Sequence, residues 1–340
     1  MNARRTALLV LVTLSLMVVA IVHLAQAQTE TPPVFAPPSL GVPAQVASGP
    51  RAGQSGIDYS GCGGVTAPGV NPAHEQQVVE LVNAARASNG LPPLKAVTNL
   101  VQAGRYHVTD LGQDNYFDHD SYDRSGGSLT YVCAWSVRIS SYYAGWQALA
   151  ENVAAGYQTP QAVMDAWMNS PGHRGNILSS QAWELGVGYY EGSGSYGRYW
   201  VQDFGRRSGI YPLVINQEAK TTFSPHVTLY IYGSWAEVRL RNESGAWSQW
   251  IPFQNTLDWQ VEAQNGLRTV WAEMRTGGQT VSSSDSIDLL PTTLADIVAV
   301  AQHWHCVAGA ACYIAQHDHD NDGDIDIVDV MLIAARWNGT

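Results

Sequence analysis

The chain has 340 residues, of which 45% are apolar and 14% charged, and its formal net charge is −11. A chain this apolar is not intrinsically disordered, and a chain with so few charged residues is not a coiled coil. Nucleic-acid-binding proteins normally carry a basic surplus, so the negative charge argues against nucleic acid as a partner. The length allows two or three domains.

Residues 1–27 have the pattern of a secretory signal peptide. Arg4 and Arg5 precede an almost unbroken apolar run over residues 7–22, and residues 25–27 fit a small-x-small cleavage site. An uncleaved membrane anchor is the alternative, because the run is nearly long enough to span a bilayer. We expect cleavage after Ala27 and secretion, with no stable membrane span in the mature chain.

Residues 28–70 are rich in Pro, Gly, Ser and Ala and predict an extended linker. Residues 71–209 then alternate helical patterns with Gly- and Tyr-rich segments. One predicted helix begins at Asn71-Pro72 and ends at Gly90, and another begins at Pro160.

The four cysteines predict two disulfide bonds, because a secreted chain folds under oxidising conditions. Cys306 and Cys312 are close in sequence and are predicted to pair, which leaves Cys62 with Cys133. The alternative for the first pair is a zinc site that adds four neighbouring histidines, which are His303, His305, His317 and His319.

Three segments of residues 71–209 carry candidate chemistry. His119 follows a helical pattern, Glu151 follows an aromatic stretch, and His173 lies where a helix ends. Two imidazoles and one carboxylate can hold Zn²⁺ and leave a position open for water. The same groups can also act as an acid–base set, and no clear nucleophile accompanies them.

In this order the segments resemble the CAP superfamily, the cysteine-rich secretory, antigen 5 and pathogenesis-related proteins, also called SCP domains. The motifs are Phe117-Asp118-His119, Ala150-Glu151-Asn152 and a Pro-Gly-His-Arg-x-Asn-Ile-Leu run over residues 171–178, which is typical of the bacterial branch. The resemblance extends from Glu75 to Phe204. It implies an α+β fold, an α-β-α sandwich whose cleft is lined by two His and two Glu.

The resemblance assigns His119, Glu151 and His173 to the cleft by motif. Animal members place the second Glu three residues after a helix Trp, where this chain has Ser170. Glu184 is a weaker candidate for that role. The family has no agreed reaction, so the resemblance leaves open whether the chain is an enzyme.

Residues 219–288 show short runs that alternate apolar and polar residues, the pattern of β-strands. The segments 237–242, 247–253 and 268–275 resemble small immunoglobulin-like or fibronectin-like β-sandwiches of bacterial surface proteins. We expect a small all-β sandwich that serves as a spacer.

The segment from Asp318 to Asp329 has the spacing of a calcium-binding loop. Carboxylates occupy loop positions 1, 3, 5, 9 and 12, and Gly323 occupies position 6, where the chain must turn sharply. A solvated acidic loop is the alternative. The predicted Ca²⁺ ligands are the carboxylates of Asp318, Asp320, Asp322, Asp326 and Asp329 and the main-chain carbonyl of Asp324.

The same region contains an internal repeat, since Asp296 precedes Trp304 by the interval that separates Asp329 from Trp337. With the calcium loop, residues 292–340 resemble a type I dockerin, a small all-α, EF-hand-like domain that docks on cohesin domains. The first copy lacks the calcium-binding pattern, so we expect one Ca²⁺.

Together these patterns predict a secreted multidomain protein. We expect its cleft to bind a small ligand (a lipid, peptide or glycan) and its tail to attach it to a cohesin-bearing surface or complex, of which the cell surface is one. The alternatives are a metal-assisted extracellular hydrolase that uses the His/Glu cleft and a purely structural surface component.

Overall fold

The computed structural model describes residues 59–319 and 322–335. The predicted signal peptide, most of the predicted linker, the calcium-loop residue Asp320 and the repeat residue Trp337 lie outside these ranges. No helix within them is both long enough and apolar enough to cross a membrane.

The first part of the chain consists of one sheet between helices. The helices are α1 (Pro72–Ser88), α2 (Thr98–Gln113), α3 (Trp135–Ser140), α4 (Pro160–Asn169) and α5 (Pro171–Ile177). The strands are β1 (Lys95–Ala96), β2 (Ser121–Ser125), β3 (Ser128–Cys133), β4 (Trp146–Ala155), β5 (Glu184–Glu191) and β6 (Arg198–Arg207). The Asn71 side chain caps α1 as predicted, since it accepts a hydrogen bond from the His74 amide.

The central sheet has the strand order β1-β5-β6-β4, with β1 parallel to β5 and the other pairs antiparallel. Successive residues of β6 point to opposite faces, so Trp200 packs with α1 and α4 while Tyr199 and Val201 pack with α2. Both faces are therefore covered by helices. The predicted α+β fold with an α-β-α arrangement is confirmed for this part of the chain.

Helix α2 lies against β5 at backbone distance because both elements carry glycine there. A Cβ on Gly188 would lie 2.3 Å from the carbonyl carbon of Gly104, and a Cβ on Gly186 would lie 2.1 Å from that of Leu100. Glycine at these positions is thus required for the helix–sheet packing that carries the next segment of the chain, which contains His119.

Both predicted disulfides are present, Cys62–Cys133 and Cys306–Cys312. The first joins the segment before α1 to the end of β3 across a sequence separation of 71 residues. On the chain-entropy account, closing a loop of this length stabilises the fold by about 4 kcal/mol.

The next part of the chain forms two sheets around a shared apolar core. One sheet has the order β11-β10-β13-β14-β8 and the other has the order β12-β9-β7. The strands are β7 (Leu213–Ile215), β8 (Thr221–Thr222), β9 (His226–Ile231), β10 (Glu237–Asn242), β11 (Ile251–Pro252), β12 (Thr256–Gln260), β13 (Gly266–Thr276) and β14 (Gln279–Leu289).

The turn between β7 and β8 holds three successive non-glycine residues in the left-handed region, Asn216, Gln217 and Glu218, with φ between 44° and 67°. Such residues cost about 1–3 kcal/mol each. Side-chain amides of α1 hold the turn: Asn83 donates to the Gln217 carbonyl at 2.8 Å, and Gln76 donates to the Glu218 carbonyl at 2.8 Å.

A half-buried ion-pair group lies beside this turn. The Lys95 ammonium contacts the Glu218 carboxylate at 2.7 Å and also the carboxylate of Asp285 on β14. It thereby joins the first sheet, the turn and the β-rich region directly.

The C-terminal part contains α6 (Leu294–Gln302), β15 (Cys306–Val307), β16 (Asp324–Ile325) and α7 (Ile327–Ala334). A capping box begins each helix, with Thr293 and Asp296 at α6 and Asp326 and Asp329 at α7. The short strands β15 and β16 pair with each other, so the described part is not purely helical.

Replacing Gly188 by Ala is expected to destabilise the protein, because its new Cβ meets main-chain atoms of α2 that cannot move aside. Overpacking of this kind costs about 1–3 kcal/mol. Urea unfolding of the full chain, followed by tryptophan fluorescence, measures the difference.

The matched control is Gly175→Ala, on a helix where a Cβ meets nothing within 4 Å. It is expected to be neutral or stabilising by up to about 1 kcal/mol. Equal loss of stability in the two variants would contradict the close approach of α2 and β5.

Candidate functional site

The candidate site is centred on Glu151, a fully buried residue on β4. Nδ1 of His119 lies 2.7 Å from Glu151 Oε1, and the guanidinium of Arg138 contacts Glu151 Oε2. Arg138 comes from α3, is fully buried, and also donates to the His119 carbonyl at 2.7 Å. The predicted pair of His119 and Glu151 is therefore in direct contact, held by a third residue.

The charge of Glu151 depends on that arginine. Burial alone would raise the pKa of this carboxyl, but the positive charge of Arg138 and the hydrogen bond from His119 lower it to about 2. Glu151 is thus ionised at neutral pH and accepts from both partners. His119 donates through Nδ1, which makes Nε2 the nitrogen that can accept a proton or a metal.

A second carboxyl, Asp203, lies opposite Glu151 in the β4–β6 pairing. It is fully buried, and its pKa is raised well above the usual range by burial and by the negative charge of Glu151. The two carboxyls share one neighbouring guanidinium, and Asp203 is the one whose charged form is disfavoured.

His173 is fully buried on α5. Its Nδ1 lies 2.8 Å from the hydroxyl of Ser170, the residue just before this helix. The amide of Asn152 donates to the His173 carbonyl at 3.2 Å, and the amide of Asn176 donates to the Glu151 carbonyl at 3.2 Å. These two asparagines hold α5 against the strand that carries Glu151.

Both histidines are thus oriented through Nδ1, one by a carboxylate and one by a hydroxyl. Metal-bound histidines are commonly held in this way, with Nε2 directed to the ion. Glu151 is committed to His119 and Arg138, which suits an orienting role better than direct ligation. Within residues 59–319 and 322–335, the three residues are not a set whose ligand atoms all lie within 4.8 Å of one another.

Glu184, the weaker candidate, lies at the start of β5 in a different cluster. Its carboxylate contacts the guanidinium of Arg207 at 2.5 Å and the hydroxyl of Tyr143. The position at which animal CAP proteins carry their second Glu is occupied by Ser170, which contacts His173 itself.

Sequence reasoning missed four residues that build this site, which are Arg138, Asn152, Asn176 and Asp203. Asn152 and Asn176 lie inside the quoted motifs and are detectable as polar residues in otherwise buried segments. Arg138 and Asp203 have no local signature, because their partners are distant in sequence.

A groove of about 770 Å³ lies elsewhere, between α1 and the β-rich region. Its lining includes Asn83, Gln217, Phe223 and Tyr230, and Asp318 is the predicted site residue that reaches it. His119, Glu151 and His173 do not line this groove.

The predicted calcium loop brings several of its carboxylates together. Asp324, Asp326 and Asp329 place ligand oxygens within 4.8 Å of one another. Asp318 accepts hydrogen bonds from the Gly323 amide at 3.0 Å and the Tyr313 hydroxyl at 2.6 Å. Gly323 has a φ of 95°, as the sharp turn at loop position 6 requires.

Comparison with known proteins supports the family resemblance of the first domain. A model of the Cysteine-rich secretory protein family (CAP) matches residues 79–204. The chain is 39% identical over 139 residues to the uncharacterized protein YkwD of Bacillus subtilis (strain 168). This aligned region covers 41% of this chain and 49% of that protein. It is 30% identical over 138 residues to the uncharacterized membrane protein YlbC of the same organism, covering 41% and 36%.

Among solved structures, the chain is similar to an extracellular protein containing a SCP domain from Bacillus anthracis str. Ames. The identity is 30%, the TM-score is 0.35, and the match covers 41% of this chain and 42% of that one. The chain thus spans about half or less of the length of the curated relatives that it matches.

Replacing Arg138 by Met is expected to cost about 3–5 kcal/mol in unfolding free energy, because it leaves the carboxylate of Glu151 buried without its cation. Combining it with Glu151→Gln removes the unpaired charge, and we expect at least half of the loss to be recovered. Urea unfolding at pH 7 of the two single variants and the double variant measures the coupling. If the loss of unfolding free energy in the double variant equals the sum of the losses in the two single variants, the ion pair is contradicted.

Proposed function

We propose that this chain, whose residues 79–204 match the cysteine-rich secretory protein (CAP) family, is a secreted binding protein whose first domain takes up a small ligand beside His119 and His173. The ligand class is a lipid, peptide or glycan. A dockerin-like tail attaches the chain to a cohesin-bearing surface or complex.

The observation that carries the proposal is that both oxygens of Glu151 are engaged, one by His119 and one by Arg138, so this carboxylate is not placed to act as a general acid or base itself. Its pKa of about 2 agrees with this orienting role. Asp203 is fully buried, and its pKa is raised well above the usual range. Glu151 therefore serves to orient His119, while Ser170 orients His173.

The two histidines, each held through Nδ1, suit Zn²⁺, and we propose that the ion takes part in ligand binding. His119 and His173 would hold the ion through Nε2, with Glu151 and Ser170 fixing the two rings from behind. A bound Zn²⁺ would offer its open positions to an anionic or carbonyl group of the ligand. Two protein ligands give modest affinity, and this affinity should fall as pH drops below about 6.5, where imidazoles take up protons.

Secretion and attachment are supported by other parts of the chain. The N-terminal sequence has the pattern of a signal peptide, and two disulfides favour an oxidising compartment. The spacing of the acidic loop and the capped helices α6 and α7 support the dockerin-like tail. The β-rich region between them is proposed to act as an immunoglobulin-like or fibronectin-like spacer.

A zinc titration of the secreted protein at pH 7.5 and pH 5.5 tests the site. We expect binding at the higher pH, at least tenfold weaker binding at the lower pH, and loss of binding in His119→Ala and His173→Ala. His226→Ala, an exposed histidine of the β-rich region, is the matched control and should bind as the wild type does. Unchanged binding in both site variants would remove the zinc proposal.

Mass spectrometry of protein purified natively from its culture medium tests ligand binding. We expect a ligand to be recovered in stoichiometric amount with the wild type and to be lost with His119→Ala. Metal-dependent turnover that disappears in His119→Ala would instead favour the hydrolase. Recovery of the same material from both proteins would contradict the binding proposal.

The acidic loop is expected to bind one Ca²⁺ and to stabilise the C-terminal part, because the ion binds the folded state. Asp320→Ala should lower the melting temperature of this part in about 1 mM calcium, which is about 100 times a Kd of about 10 µM, and leave it unchanged in chelator. Asp258→Asn, on β12, is the control. Equal melting of Asp320→Ala and wild type in calcium would contradict the site.

A further inference from the structure

A second group of carboxylates lies on the first domain and shares no residue with the two predicted metal sites. Asp110 and Asp114 stand one helical turn apart at the end of α2, and Asp123 projects from β2. One ligand oxygen from each carboxylate lies within 4.8 Å of the other two. Three acidic side chains so close repel one another unless a cation or a proton lies between them.

Asp110 is the unusual member, because it is only 1% exposed. The Tyr116 hydroxyl donates to its Oδ2, whereas its Oδ1 is buried without a hydrogen-bond partner in the described part of the chain. An unsatisfied buried carboxylate oxygen costs free energy that an ordinary fold avoids. A cation among the three carboxylates would satisfy it.

The other two carboxylates are held in place by main-chain donors. The Gly61 amide donates to Asp123 Oδ1 at 2.9 Å, and the Arg124 amide donates to Asp114 Oδ2 at 2.8 Å. In each case a main-chain amide fixes one carboxylate oxygen and so orients the side chain. Hydrogen bonds from neighbouring residues orient the ligands of metal sites in the same way.

We propose that Asp110, Asp114 and Asp123 bind one Ca²⁺ ion. The donor set contains oxygen alone, which suits Ca²⁺ and disfavours Zn²⁺. Each Ca–O bond is about 2.3–2.6 Å long, so two oxygens on one ion lie at most about 5 Å apart, in keeping with the observed cluster. Water completes the coordination on the exposed side.

The ion would join three segments that are distant in sequence. These are the end of α2, the β2–β3 hairpin and, through the Gly61 amide, the segment before α1 that the Cys62–Cys133 disulfide also holds. Since His119 immediately precedes β2, the ion would also fix the strand that follows the candidate cleft.

Calcium binding to the full-length secreted protein, measured by equilibrium dialysis, tests this site separately from the acidic loop. We expect two ions in the wild type, one in Asp320→Ala, one in Asp123→Asn, and none in the double variant. Asp114→Asn should behave as Asp123→Asn does. Asp165→Asn, an exposed carboxylate on α4, is the matched control and should retain both ions.

Circular dichroism in chelator checks that each variant is folded, and thermal melting in calcium gives a second readout. The melting temperature of the CAP domain should rise with calcium in Asp320→Ala and not in the double variant. The proposal is overturned if Asp320→Ala and the double variant bind equal amounts of calcium, whatever the acidic loop does. It is also overturned if the wild type binds one ion and only Asp320→Ala abolishes that binding.

Discussion

The buried ion pair of Glu151 and Arg138 is the interaction on which the candidate site depends. A carboxylate with no access to water stays ionised only beside a cation, and Arg138 supplies that charge from α3. The ionised Glu151 then fixes the ring of His119, and its negative charge helps to raise the pKa of the neighbouring Asp203. The orientation of His119 and the pKa values of both carboxyls thus depend on one guanidinium.

Local patterns carried most of what could be predicted from the sequence. Short segments encode the caps and apolar stripes of α1 and α4 and the cysteine pairs. They also encode the motif residues His119, Glu151 and His173. Arg138 and Asp203 could not be predicted, because their roles exist only after β4, β6 and α3 have packed. Glu184 shows the same limit, since its position in the sequence did not reveal Tyr143 and Arg207 as its partners.

The two acidic groups illustrate the difference between contiguous and assembled sites. The loop from Asp318 to Asp329 is visible in the sequence because one short segment contains its ligand positions. Asp110 and Asp123 come from a helix and a hairpin, and a glycine amide near the chain's first disulfide orients one of them. The convergence of these two carboxylates depends on the packing of α2 against β5, and that packing needs glycine at position 188.

The left-handed turn at residues 216–218 also links the two parts of the chain. Asn83 and Gln76 donate hydrogen bonds to its carbonyls, and Lys95 pairs with Glu218 and Asp285, so α1, β1 and β14 are held together here. A rotation of the β-rich region against the first domain has to break these contacts. If the tail is tethered, His119 and His173 keep one orientation relative to the β-rich region for as long as the contacts hold.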